Sequence, residues 1–101
     1  MLKYPSKQDQ ELINAFSYLE NKKEITGFLR DLLTPAEIVE FSKRFQIATL
    51  LWTTNDSYIK IAKTVKTSTT TVTRVAQWLY KENWQGYAKV LQRMYGKSKR
   101  D

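Results

Sequence analysis

Residues 57–80 read Ser57-Tyr58-Ile59-Lys60-Ile61-Ala62-Lys63-Thr64-Val65-Lys66-Thr67-Ser68-Thr69-Thr70-Thr71-Val72-Thr73-Arg74-Val75-Ala76-Gln77-Trp78-Leu79-Tyr80. Ile61 and Val65 lie on one face of a helix that follows a polar turn ending in a cap at Ser57. Val72, Val75 and Leu79 repeat the same spacing in a second helix, capped by Ser68 and reaching about Tyr80. Lys66-Thr67 is the tight turn between them, and Ala62 is small where the helices would cross. Two short helices joined by a tight turn over about twenty residues have the size of a helix-turn-helix. One position departs from the usual pattern. Lys66 stands where such turns commonly hold glycine, and a left-handed conformation there would cost a lysine about 1 kcal/mol.

The remaining side chains of the unit point outward: Ser68, Thr69, Thr70, Thr73, Arg74 and Gln77, with Lys60, Lys63 and Lys66 around them. A recognition helix enters the DNA major groove by its N-terminal end, where short hydroxyl side chains permit close approach. Their hydroxyls can bond phosphates or base edges, and a threonine methyl can touch a thymine methyl. Arg74 suits a guanine edge or a phosphate, Gln77 an adenine edge, and the three lysines suit backbone phosphates. The competing reading is a plain helical hairpin whose threonines cover a surface. Against it, β-branched threonine is a poor helix former, so Thr69, Thr70, Thr71 and Thr73 carry a local cost that surface filling does not explain.

Outward from this unit the pattern stays helical, with three Gly and two Pro in 101 residues and no strand-length alternation. A first helix follows a cap at Ser6 and carries Leu12, Ile13, Phe16 and Leu19. Glu20-Asn21-Lys22-Lys23 marks a break, and a second helix carries Ile25, Phe28, Leu29 and Leu32. Thr34-Pro35-Ala36-Glu37 places a hydroxyl at the N-cap, proline at the first helical position and a carboxylate two residues later, opening a third helix that runs to about Trp52. That helix is apolar over a wide arc, with Ile38, Phe41, Phe45, Ala48 and Trp52 flanked by Val39, Ile47, Leu50 and Leu51. Such an arc must be covered on several sides, and a second copy of the chain would supply the cover. A last helix carries Trp84, Tyr87, Val90, Leu91 and Met94, and Gly96 to Asp101 reads as a disordered basic tail. The expected fold is all-α, about six helices in a single domain spanning 1–101.

Charge agrees with a polyanionic partner. The net charge is +7, yet residues 1–50 balance seven basic against seven acidic side chains, while residues 51–101 hold ten basic against three acidic. All of the excess therefore lies in the half that contains the helix-turn-helix, which favours nucleic acid. The chain has neither Cys nor His, which removes cysteine nucleophiles, disulfides, histidine bases and the usual zinc ligands. The acidic residues sit mostly near helix starts or on polar faces, and there is no glycine-rich phosphate loop, so neither an enzyme nor a metal protein is expected. The start of the chain turns polar at once, and the longest apolar run, Ala48 to Trp52, is far short of the ~20 residues a membrane span needs. A cytoplasmic protein with no membrane partner is expected.

Leu32-Leu33-Thr34-Pro35 with Glu37, followed about forty residues on by Thr71-Val72-Thr73-Arg74, resembles the Trp repressor superfamily. The run Phe28-Leu29-Arg30-Asp31-Leu32-Leu33-Thr34-Pro35 resembles its small Trp-repressor-like YerC/YecD-type members, and the likeness covers about residues 10–95. This resemblance implies an intertwined homodimer that presents two helix-turn-helix units to double-stranded DNA, with half-sites about 34 Å apart. It also implies an effector pocket whose threonine and two arginines match Thr34, Arg44 and Arg74. A carboxylate ligand on Arg74 would be chemically sensible, so a small-molecule corepressor fits the pattern. Tryptophan itself is disfavoured, because Val75 and Trp78 replace a glycine and a serine of the family pocket and are expected to fill it as core. The local chemistry offers simpler roles too: Thr34 as a helix cap and Arg44 as a helical partner of Glu40.

Two functions follow. One is a homodimeric, sequence-specific DNA-binding transcriptional regulator, read as a repressor. The other is a helical protein-interaction module that uses the same fold without DNA, for which the charge asymmetry has no purpose.

Overall fold

The computed structural model describes residues 3–100. It contains six α-helices and, among the described residues, no strand: α1 (Lys7–Ser17), α2 (Lys22–Leu32), α3 (Pro35–Thr53), α4 (Tyr58–Val65), α5 (Thr69–Tyr80) and α6 (Gly86–Tyr95).

The helix starts are set by short-range chemistry. At α1 the Asp9 N–H donates to Ser6 Oγ at 3.1 Å while the Ser6 N–H donates to the Asp9 carboxylate at 2.8 Å. At α3 the same reciprocal box joins Thr34 and Glu37, at 2.9 and 3.2 Å. Each box satisfies two backbone donors that a helix terminus leaves without partners. Ser57 accepts from Lys60 N–H and Ser68 from Thr71 N–H, opening α4 and α5 at the residues the sequence indicates. Two starts differ from expectation. The break before α2 spans Tyr18 to Asn21, so Lys22 and Lys23 are helical, because Asn21 accepts from Glu24 N–H and acts as the cap. The last helix begins only at Gly86, because Gln85 takes a left-handed conformation (φ 56°, ψ 31°). Trp84 therefore precedes the helix and is 67% exposed.

The α4–α5 turn adopts the left-handed geometry in question. Lys66 has φ 64° and ψ 57°, and both its N–H and that of Thr67 donate to the Ala62 carbonyl. The lysine thus occupies a conformation that disfavours any residue with a Cβ. Replacing Lys66 with glycine is expected to stabilise the fold by about 0.5–1 kcal/mol, the strain relief being partly offset by the freer unfolded chain. Urea denaturation of both proteins measures the difference.

The described chain forms two compact units within the span expected to be one domain: one up to Ile38, the other from Val39 onward. In the first, Phe16 of α1 meets Phe28 of α2 edge-on, with ring centroids 5.1 Å apart. Neither α1 nor α2 has a buried residue; Leu12, Ile13, Phe16, Ile25 and Leu32 are all exposed by more than a third. The second unit holds a true core. Ile47, Ala48, Leu51 and Trp52 from α3 join Ile61, Ala62 and Val65 from α4, Val72, Val75, Ala76 and Leu79 from α5, and Leu91 from α6. The wide apolar arc of α3 is thus covered only toward its C-terminal end, while Val39 and Phe41 stay exposed.

The chain after α6 corrects an expectation. Residues 96–100 are docked rather than frayed. The Trp52 indole N–H donates to the Gly96 carbonyl at 2.7 Å, and the Lys99 N–H donates to the Trp52 carbonyl at 2.8 Å. The Tyr80 hydroxyl, whose ring stacks on Trp52, pairs with Ser98 Oγ at 2.9 Å. The Arg100 guanidinium donates to the carbonyls of Leu51, Thr54 and Asp56 at 3.1, 2.9 and 2.6 Å. The reason is a deficit elsewhere: α3 has no basic residue in its last turn, and its terminal carbonyls need donors. Asp101 lies outside the described residues.

Candidate nucleic-acid interface

The burial pattern along α4 and α5 separates two faces. Ile61, Ala62, Val65, Val72, Val75, Ala76 and Leu79 are buried, and α4 packs against α5. Lys60, Lys63, Lys66, Ser68, Thr69, Thr70, Thr73, Arg74 and Gln77 are all exposed. Thr70, Thr73, Arg74 and Gln77 follow the spacing i, i+3, i+4, i+7 and so share one stripe of α5.

Individual side chains differ in what they have left to offer. Ser68 is committed inward: its oxygen accepts from the Thr71 N–H and lies 3.0 Å from the Thr71 hydroxyl. Thr73 donates its hydroxyl proton to the Thr69 carbonyl at 3.0 Å, which leaves it an acceptor and a methyl group outward. Lys60 pairs with Asp56 at 3.4 Å, one helical turn back, though its side chain remains 68% exposed. Such a surface pair contributes little and yields readily to a phosphate.

A cation that the sequence reading omitted also reaches the turn. Lys43 of α3 donates its ammonium to the Lys66 carbonyl at 3.3 Å. Nothing local marks this contact, which joins residues 23 positions apart.

A second feature lies around Trp78. Phe45, Trp78, Glu82, Trp84, Gln85, Gly86, Tyr87 and Val90 line a largely apolar cavity of about 560 Å³. The Arg44 guanidinium lies 5.5 Å from the Trp78 ring centroid and 5.2 Å from that of Phe41, with Glu40 at 3.5 Å. Burial pushes the Tyr87 phenol above its ordinary pKa, and the nearby Arg44 charge pulls it partly back.

The profile of the Trp repressor protein family matches residues 7–95. The chain belongs to the Trp repressor family. Two solved structures are similar to it. A TrpR-like protein from Eubacterium eligens ATCC 27750 is 30% identical, with a TM-score of 0.77 over 89% of this chain and 91% of that one. A protein provisionally described as a Trp repressor from Staphylococcus aureus is 32% identical, with a TM-score of 0.79 over 92% and 91%. No curated protein matches. The Trp repressor family is regulatory rather than enzymatic. Among the described residues, no group of acidic side chains could hold a metal ion and no helix is long and apolar enough to cross a membrane.

In this Trp repressor family member two of the three effector-pocket candidates have separate local commitments. Thr34 is the reciprocal cap of α3. Arg44 is held between Glu40 and two aromatic rings, and Arg74 is exposed on α5. Val75 is fully buried, as expected of a residue filling a pocket. Trp78 is not: it is 38% exposed and forms a cavity wall, because α5 turns it toward Arg44 and Phe45 rather than into the core.

Proposed function

We propose that this Trp repressor family member is a cytoplasmic, homodimeric, sequence-specific DNA-binding regulator of transcription, acting as a repressor through the helix-turn-helix of residues 57–80. The observation that carries this reading is the two-faced α4–α5 unit: every inward position is apolar and buried, and all nine candidate DNA residues are exposed. Thr69, Thr70, Thr73, Arg74 and Gln77 read or position on base edges, while Lys60, Lys63 and Lys66 hold phosphates. The exposed apolar side chains of α1, α2 and the start of α3 support a second copy as their cover. Two copies would present two units to half-sites about 34 Å apart. Any effector is a ligand other than tryptophan, since the fully buried Val75 adds bulk where the family pocket has a glycine.

Mobility shift with DNA selected from random sequence tests the reading. Arg74→Ala is expected to weaken specific binding by about 1–3 kcal/mol and relax preference at the base it reads, with Thr73→Ala shifting preference at a neighbouring position. Unchanged preference in both variants would defeat the assignment of α5 as the recognition helix. Sedimentation at micromolar concentration is expected to give the mass of two 11.9 kDa chains, and a monomer would remove the intertwined dimer.

A further inference from the structure

The C-terminal segment is the least expected feature of the molecule, and it ends beside the start of the helix-turn-helix. Arg100 bridges the Leu51 carbonyl in the last turn of α3 and the Thr54 carbonyl just past it to the Asp56 carbonyl, immediately before the Ser57 cap of α4. Ser98 meets the Tyr80 hydroxyl at the other end of the unit, the last residue of α5. The segment thus ties together the entrance of α4, the exit of α5 and the end of α3. Lys99 lies between these two anchors and Lys97 between Ser98 and Gly96, whose carbonyl accepts from Trp52; both lysines are exposed, and the Lys99 backbone is fixed on Trp52. The contacts that hold the segment use backbone groups, a serine hydroxyl and the Arg100 fork. Among the described residues neither lysine ammonium pairs with a carboxylate, the ion pairs there being Arg44–Glu40 and Lys60–Asp56.

We propose that residues 96–100 are a third component of the DNA-docking unit, a latch that carries Lys97 and Lys99 beside α4 as additional phosphate contacts. This rests on the DNA-binding reading above. In a helix-turn-helix the first helix crosses the DNA backbone, so cations fixed beside its start meet phosphates flanking the half-site rather than bases. A disordered basic tail would lose chain entropy on binding; this one is ordered beforehand by Trp52, Tyr80 and Arg100, so the same charges bind without that loss. Arginine suits the latch because its planar guanidinium presents its donors in a rigid fork with a wider reach than the compact, freely rotating ammonium of lysine.

The test compares wild type, Lys97→Ala/Lys99→Ala and Arg100→Lys in binding to one selected DNA across a salt series. Each phosphate contact contributes about 0.9 to the slope of log affinity against log salt. The double alanine variant is expected to lower that slope by about 2 per bound copy and to keep the wild-type base preference. Arg100→Lys keeps the charge and breaks the fork: several-fold weaker binding to all sequences is expected at an unchanged slope, with faster amide exchange at Lys99. A wild-type slope in the double variant would overturn the phosphate contacts, and wild-type affinity in Arg100→Lys would overturn the latch. Should the wild-type protein bind no DNA even at low salt, the broader reading fails with this one. Firm wild-type binding with an unaltered double variant defeats only the role of the tail.

Discussion

Affinity for a selected operator is expected to fall by about three orders of magnitude when salt rises from about 50 to about 200 mM. The size follows from counting charges on the exposed face. Lys60, Lys63 and Lys66 give three candidate phosphate contacts per copy, and a dimer presents six. At about 0.9 per contact, six contacts give a slope near −5, and a fourfold rise in salt multiplies the dissociation constant by roughly 10³. Lys97 and Lys99 would steepen the fall further. Fluorescence anisotropy with labelled duplex at several salt concentrations measures the slope directly. Removing Lys63 from both copies is expected to reduce it by about 2 while leaving base preference intact. A slope between 0 and −2 would mean that the basic face does not meet phosphates, and the protein-interaction alternative would gain accordingly.

What could be read in advance was chemistry that acts over a few residues. Ser57, Ser68 and the Thr34–Glu37 box reach their partners within three positions, so the starts of α3, α4 and α5 were visible as local patterns. The division of α4 and α5 into buried and exposed faces followed from helical spacing in the same way. The features that escaped depend on partners far along the chain. Nothing in Gly96 to Arg100 indicates that its donors and acceptors lie on Leu51, Trp52, Thr54, Asp56 and Tyr80, so composition alone suggested a solvated tail. Lys43 at the Lys66 carbonyl is hidden for the same reason. Trp78 misled differently: an indole at an apolar position reads as core, but the cavity beside it leaves it half-exposed. Trp84 was drawn into the last helix by its spacing, and the left-handed Gln85 between them breaks that continuity.

The second large effect is on stability. Leu79→Ala is expected to destabilise the protein by about 3–5 kcal/mol, a large part of the roughly 5–15 kcal/mol that holds a domain together. Leu79 is completely buried among α3, α4 and α6 residues, so its removal leaves a cavity lined by side chains that cannot all close over it. The melting temperature should drop by about 12–40 °C, since each kcal/mol is worth about 4–8 °C in a domain of this size. Met94→Ala, truncating a side chain that is 54% exposed, serves as the control and should cost about 1 kcal/mol or less. Calorimetric melting of the three proteins decides the ranking, and equal losses from Leu79 and Met94 would contradict the placement of the core. The comparison with Arg74→Ala is the more informative one. Arg74 and Leu79 stand on the same helix, one exposed and one buried. Leu79→Ala should therefore lower stability while leaving the base preference of the folded fraction unchanged, and Arg74→Ala should change preference with stability shifted by no more than about 0.5 kcal/mol. That reversal is the behaviour of a helix that uses one face to fold and the other to recognise.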